Sequence, residues 1–282
     1  MQPVEPHQPA RAAEGEADGR PIGIFDSGFG GLTVVRALID LLPAEHIVYV
    51  GDTGRYPYGS RPAGEVRSFA LEIGSHLVGG LEAKLVVVAC NTAASVALDD
   101  LVAALPVPVV GVLEPGMRSA AQATRTGRIG VIGTVGTIRS GAYQRLARAI
   151  APDMEVTCAA CPGFVEFVER GETGSDQVHV LAERLLAPLM EADVDTLLLG
   201  CTHYPFLART IADVMGRDVV LVSSAEETAF DVRNLILRGR LAGAGPGAGR
   251  HRFVSSGDIA WFAAMGRRLL GPELLVAEQL WD

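Results

Sequence analysis

From Ile22 onward the chain alternates between short, almost uninterrupted apolar runs rich in Val, Ile and Leu and longer stretches whose apolar residues recur at helical spacing. Runs of the first kind read as strands buried on both faces, and the amphipathic stretches as the helices that cover them. The strand candidates are Ile22–Asp26, Ile47–Gly51, Leu85–Cys90, Val107–Leu113, Arg128–Gly133, Met154–Cys158, Thr196–Cys201, Val219–Val222 and Arg252–Ser255. Among the helices, Leu32–Leu42 sets Leu32, Val35, Leu38, Ile39 and Leu42 on one stripe and stops at Pro43, while Val66–Leu81 does the same with Val66, Phe69, Ile73, Leu77 and Leu81. Repetition of this unit predicts an α/β protein with parallel sheets. Ala242 to Gly249, made of Gly, Ala and Pro, reads as a loop.

Part of the pattern repeats. Ile22-Gly23-Ile24-Phe25 resembles Ile129-Gly130-Val131-Ile132, an offset of 107 residues. Val87-Val88-Ala89-Cys90-Asn91-Thr92 resembles Leu198-Leu199-Gly200-Cys201-Thr202-His203, an offset of 111. Two similar α/β units would explain both.

Composition narrows the chemistry. The 282 residues, 49% hydrophobic, suffice for one large or two modest globular domains, and four cysteines are too few for a disulfide scaffold. No apolar run approaches the ~18 residues that span a bilayer, and no signal-peptide pattern opens the chain, so a cytoplasmic protein with reduced thiols is expected. With 33 acidic against 24 basic side chains the net charge is −9, which disfavours nucleic acid and anionic membranes and points to a small molecule or another protein as partner. Residues 1–21, rich in Pro, Glu, Ala and Gly, are expected to form a disordered extension. Only one of the basic residues is lysine, Lys84, and it follows no glycine-rich loop. That argues against pyridoxal phosphate and P-loop chemistry, each of which needs a lysine of its own.

Ligands of parallel α/β sheets bind beyond the carboxyl ends of the strands, which singles out Asp26-Ser27-Gly28, Gly51-Asp52-Thr53, Cys90-Asn91-Thr92 and Cys201-Thr202-His203. Short polar residues at such places also cap helices, and a cysteine there is often only a small buried residue. The two cysteines nevertheless hold corresponding places in the repeat, each ahead of a helix N-terminus that favours a thiolate. Facing each other across a cleft, they would suit a reaction that needs opposed acid and base groups on either side of one carbon, with Asp26 and His203 able to tune them. A zinc site built from Cys90, Cys201, His203 and Asp26 is the chemical alternative, and a non-enzymatic two-domain binding protein the other. Cys158-Ala-Ala-Cys161 has redox spacing without a second pair and reads as structural. The glycines after the first strand do not form GxGxxG.

The motifs FDSGFGGLT (Phe25–Thr33), GDTGRYPYG (Gly51–Gly59), ACNTA (Ala89–Ala93), GVLEPG (Gly111–Gly116), IGVIGTVGTIRSGAY (Ile129–Tyr143) and GCTHYP (Gly200–Pro205), in this order, resemble the glutamate racemases of the cofactor-independent amino-acid racemase superfamily. Aspartate racemases resemble GCTE rather than GCTH and lack FDSG, so Asp26 and His203 favour glutamate. The resemblance implies inversion of L- and D-glutamate without metal or pyridoxal phosphate, supplying D-glutamate for peptidoglycan. It implies Cys90 as the base acting on the D-isomer and Cys201 on the L-isomer, assisted by Asp26 and His203, with Asp52 and Glu169 as auxiliary acids. Substrate contacts carried over are Asp26, Ser27, Tyr58, Gly59, Asn91, Thr92, Thr134, Thr137, Thr202 and His203. A homodimer is implied, and contact with gyrase by family analogy alone. The second α/β domain, residues 114–222, is expected to be inserted in the first, residues 22–113 and 223–282, with the site in the cleft between them. The chain departs from the pattern at Gly54, where Ala is usual, and at Glu166, where Pro is usual.

Overall fold

The computed structural model describes residues 17–238, 241–271, 274 and 276–280. Strands β1 (Ile22–Asp26), β2 (Ile47–Gly51), β3 (Leu85–Val88) and β4 (Val109–Gly111) alternate with helices α1 (Leu32–Leu41), α2 (Ala63–Gly79) and α3 (Asn91–Ala104). After α4 (Leu113–Ala123) the pattern restarts with β5 (Arg128–Gly133), α5 (Val135–Arg139), α6 (Ala142–Ile150), β6 (Glu155–Ala160), α7 (Phe164–Arg170), α8 (Asp176–Glu191), β7 (Thr196–Gly200), α9 (Ala208–Met215) and β8 (Val220–Val222). The chain returns through α10 (Ala225–Leu237) to β9 (His251–Ser255), α11 (Ile259–Leu270) and β10 (Ala277–Gln279).

Two parallel sheets result, ordered β10-β9-β2-β1-β3-β4 and β6-β5-β7-β8. The second repeats the order β2-β1-β3-β4 of the first, so the sequence offsets of 107 and 111 superpose the two central strand pairs, β1 on β5 and β3 on β7. These strands are buried almost throughout, as their unbroken apolar runs require. The two crossings between sheets run side by side: Arg118 of α4 pairs with Asp231 of α10 at 2.6 Å.

Several boundaries differ from the sequence reading. Strand β4 cannot start at Val107, because Pro108 has no N–H for the ladder, and it ends before Leu113, which opens α4. Strand β6 lies later than Met154–Cys158 because its register against β5 runs from Glu155 to Ala160. Strands β3 and β7 stop short of Cys90 and Cys201. Strand β10, Ala-Glu-Gln, carries no apolar run, and pairing with β9 alone creates it.

Lys84 lies at the amino end of β3, far along the sheet from the strands' carboxyl ends. Its side chain is fully buried. Nζ pairs with Glu45 at 2.8 Å and donates to the carbonyls of Asp18 at 2.7 Å and Ala242 at 2.9 Å. The first sixteen residues of the expected disordered extension lie outside the described residues. Asp18 to Pro21 is held rather than disordered, because Lys84 binds Asp18 and its backbone N–H donates to Pro21. Removing one partner of a buried pair leaves the other charge stranded in an apolar setting. Lys84→Met is therefore expected to lower the unfolding free energy by about 3–5 kcal/mol in a urea titration, and the double variant Lys84→Met/Glu45→Leu to recover most of it; equal losses in the two proteins would contradict the pairing.

Candidate active site

Parallel register brings the strand ends of each sheet level: Phe25 lies beside Val88 and Val50, and Gly133 beside Ala160 and Gly200. The residues just beyond these ends meet across a cavity of about 110 Å³, room for one small molecule or several waters. The first sheet contributes Ser27, Tyr58, Gly59, Cys90, Asn91 and Thr92, and the second Thr134, Cys201, Thr202 and His203.

Cys90 caps α3, its sulfur accepting from the Ala93 N–H at 3.5 Å. Burial pushes its thiol up to about 12 and the neighbouring Asp26 charge adds to this, against the opposing N–H groups of Ala93 and Ser27 and the Ser27 hydroxyl. Cys201 is buried in the corresponding place after β7, with its sulfur 4.0 Å from His203 Nδ1. His203 is 3% exposed, and its Nε2 faces Glu169 Oε1 at 3.5 Å. Burial alone would drive this imidazole neutral, but Cys201, Glu169 and Asp26 hold it protonated, up to about 10.

Asp26 lies behind the cavity wall, fully buried at the end of β1. It accepts from the Gly28 N–H at 2.8 Å and from the Thr202 hydroxyl of the other sheet at 3.2 Å. Burial raises its carboxyl above the ordinary range, against the pull of His203 and these donors. Gly30 makes the approach feasible, since a Cβ there would lie 2.2 Å from Thr202 Oγ1 and 2.5 Å from His203 Nδ1.

Three hydroxyls close another side: Thr92 Oγ1 lies 2.9 Å from Thr134 Oγ1 and 3.1 Å from Thr137 Oγ1, and the last two are 3.0 Å apart. Thr137 lies behind the cavity wall. Asp52 is not in the wall either. It accepts from Arg55 Nε at 2.7 Å, from the Ser256 hydroxyl at 2.5 Å and from the Tyr58 hydroxyl, so it anchors the loop that delivers Tyr58 and Gly59. Among the described residues no three His, Cys, Asp or Glu side chains are arranged to hold a metal ion, so the zinc alternative finds no ligand set.

Residues 22–229 match the Asp/Glu/hydantoin racemase family. The chain belongs to this racemase family. It is similar to the glutamate racemase of Acidothermus cellulolyticus, 52% identical over 255 residues that cover 90% of this chain and 96% of that one. Its fold is similar to the crystal structure of a glutamate racemase isoform from Bacillus anthracis, with a TM-score of 0.85, 41% identity and coverage of 92% and 96% of the two chains. It is also similar to the glutamate racemase from Francisella tularensis solved in complex with D-glutamate, with a TM-score of 0.87, 31% identity and coverage of 93% and 98%.

The structure adds cavity residues that the motif reading passed over. Tyr56, inside GDTGRYPYG, tilts over the His203 ring with centroids 6.3 Å apart, and burial together with Glu169 keeps its phenol protonated. Cys161, read as structural, follows β6 and reaches the cavity, as does Glu166 at the exposed rim. Equivalent placement after a central strand marked Cys90 and Cys201; Cys161 follows a flanking strand and lacked that mark.

A histidine held protonated to about 10 sits above the ~6.5 of the unfolded chain. Its contribution to stability is complete below pH ~6.5 and fades as the pH rises toward about 10. The stability lost in His203→Gln, measured by urea unfolding across this range, should therefore be largest near its acid end and shrink toward its alkaline end; a loss that grows with pH would contradict a charged ring between Cys201 and Glu169.

Proposed function

We propose that the chain interconverts L- and D-glutamate by a two-base mechanism in which Cys90 and Cys201 act from opposite faces of the α-carbon. The observation that carries this reading is the pair of buried thiols placed after corresponding strands, β3 and β7, and opening on one cavity. In the L-to-D direction the Cys201 thiolate takes the α-proton and becomes a thiol. The Cys90 thiol then gives its proton to the other face and becomes a thiolate. The reverse direction exchanges these roles, and one ionised thiol per turnover is required, since two thiolates would leave no acid.

An α-proton is far less acidic than an ordinary thiol at ~8.5. Burial narrows the gap from the base side, because a thiol pushed up to about 12 at Cys90 yields a more basic thiolate once its proton has been given up. Donors narrow it from the substrate side. In this reading Thr92, Thr134 and Thr202, with Ser27 and Gly59, supply donors to the carboxylates and to the charge that develops on proton removal, Thr137 supports Thr92 and Thr134 from behind the wall, Tyr58 carries Gly59 to the cavity, and Asn91 contacts the substrate beside them. Among the described residues lining the cavity none is Lys or Arg, so neutral donors and the His203 imidazolium carry that work. In this reading Asp26 attends Cys90 and His203 attends Cys201, with Glu169 behind His203 and Asp52 behind Tyr58.

Glutamate as substrate is supported by the presence of both Asp26 and His203 in the motifs that resemble glutamate racemases and by the names of the similar racemases, among them the protein solved with D-glutamate. The same resemblance supports supply of D-glutamate for peptidoglycan, a cytoplasmic setting and a homodimer. It also supports a division into residues 22–113 with 223–282 and an inserted 114–222, whose two crossings would let the cleft open and close.

Metal-free protein incubated with L-glutamate in D₂O should lose optical rotation while gaining α-deuterium; absence of both changes would overturn the reading. Cys90→Ser and Cys201→Ser should each lower turnover by on the order of 10²–10⁴-fold. A variant with near-normal turnover would remove that cysteine from its role.

A further inference from the structure

Tyr143 closes the Ile129–Tyr143 motif and has no part in the reaction as derived above. It nonetheless touches the cavity wall. Its ring, 1% exposed, stands in the first turn of α6 on the second sheet's side, and its hydroxyl accepts from Asn91 Nδ2 at 2.9 Å. Asn91 begins α3 on the first sheet's side, so the bond crosses between the two halves. Burial raises the Tyr143 phenol well above its ordinary value, so the ring enters this bond as a neutral hydroxyl.

The remaining end of the amide is the informative one. Asn91 is 3% exposed and lines the cavity, and its Oδ1 is buried with no hydrogen-bond partner in the protein. A side-chain amide has a donor end and an acceptor end. With Nδ2 committed to Tyr143, the acceptor is left for a ligand, and a buried acceptor calls for a donor. The only strong donor on an α-amino acid at neutral pH is its ammonium group. A local feature of the backbone admits the arrangement: a Cβ on Gly200 would lie 2.9 Å from Tyr143 Cε2 and 3.1 Å from its hydroxyl oxygen. The residue before Cys201 is thus the one that lets the ring reach Asn91.

We propose that Tyr143 is a positioning residue that holds the Asn91 amide from across the cleft, so that Oδ1 receives the ammonium group of the amino-acid substrate. This rests on the racemase reading above, in that it takes the ligand to be glutamate. Tyr143 itself touches no reacting atom. It acts by selecting which end of the amide faces the substrate and, because it comes from the opposite half, it makes that selection only when the two halves are together.

The test is Tyr143→Phe, which keeps the ring and removes the hydroxyl. KM for both glutamate isomers should rise about tenfold, the scale of one hydrogen bond to a charged group, with kcat changing less. The inhibition constant of glutarate, which keeps both carboxylates and lacks the ammonium, should stay unchanged. Asn91→Ala should show the same pair of results, and Tyr143→Phe added to Asn91→Ala should raise KM no further, because the tyrosine works through the amide. An unchanged KM in Tyr143→Phe, a glutarate constant that rises in step with KM, or additive effects in the double variant would each overturn the proposal. Should Tyr143→Phe fail to fold, the glutamate and glutarate comparison in Asn91→Ala decides alone. Failure of the racemase reading looks different, since the unaltered protein would then exchange no α-proton.

Discussion

Parallel pairing sends every strand's carboxyl end to the same side of its sheet, and here two such sheets turn those ends toward each other, so that the ionisable groups between them are held almost free of water. Desolvation is the dominant force on that cluster. It pushes the Cys90 thiol up to about 12 and the Asp26 carboxyl above its usual range, and it would discharge His203 were Cys201, Glu169 and Asp26 not beside it. Groups removed from water must find replacements for its hydrogen bonds. The N–H groups at the start of α3, the Gly28 N–H and the Thr202 hydroxyl are those replacements.

Many of these replacements come from the opposite half. Thr202 reaches Asp26, Thr134 and Thr137 reach Thr92, and Tyr143 reaches Asn91. The cluster is therefore complete only when the halves are in contact, because each half supplies donors that the other lacks. The far end of the first sheet is organised differently. There Lys84 and Glu45 draw the start of the described chain and the loop around Ala242 onto the sheet, away from the chemistry. The scarcity of lysine acquires a structural meaning in this way: the single one present is a buried clamp.

Much of the framework was legible in sequence because its signals are local. Unbroken apolar runs can be only buried strands in a chain of this kind, and the two offsets located β1, β3, β5 and β7 as equivalent central strands. Signals that depend on a neighbour were weaker. Strand β10 has no pattern of its own and exists through β9, and β6 takes its limits from β5. Asp52 carried the same strand-end mark as Asp26, and both stand behind the wall, but Arg55, Ser256 and Tyr58 occupy the Asp52 carboxylate while Asp26 meets Thr202 of the other half. Cys161 carried no such mark and lines the cavity.

The sequence by itself determined the α/β alternation, the duplication and the residue types at the strand ends, since periodicity, repeats and motifs are properties of a linear order. Which of those residues share a cavity, which stand behind it and which end of an amide faces inward were decided only by the tertiary structure. Hydrogen-bond partners such as Tyr143 and Asn91 lie 52 positions apart in the chain and 2.9 Å apart in space. Burial, which sets the charge of Cys90, Asp26 and His203, is likewise a property of what surrounds a residue in space and has no counterpart in its place along the chain.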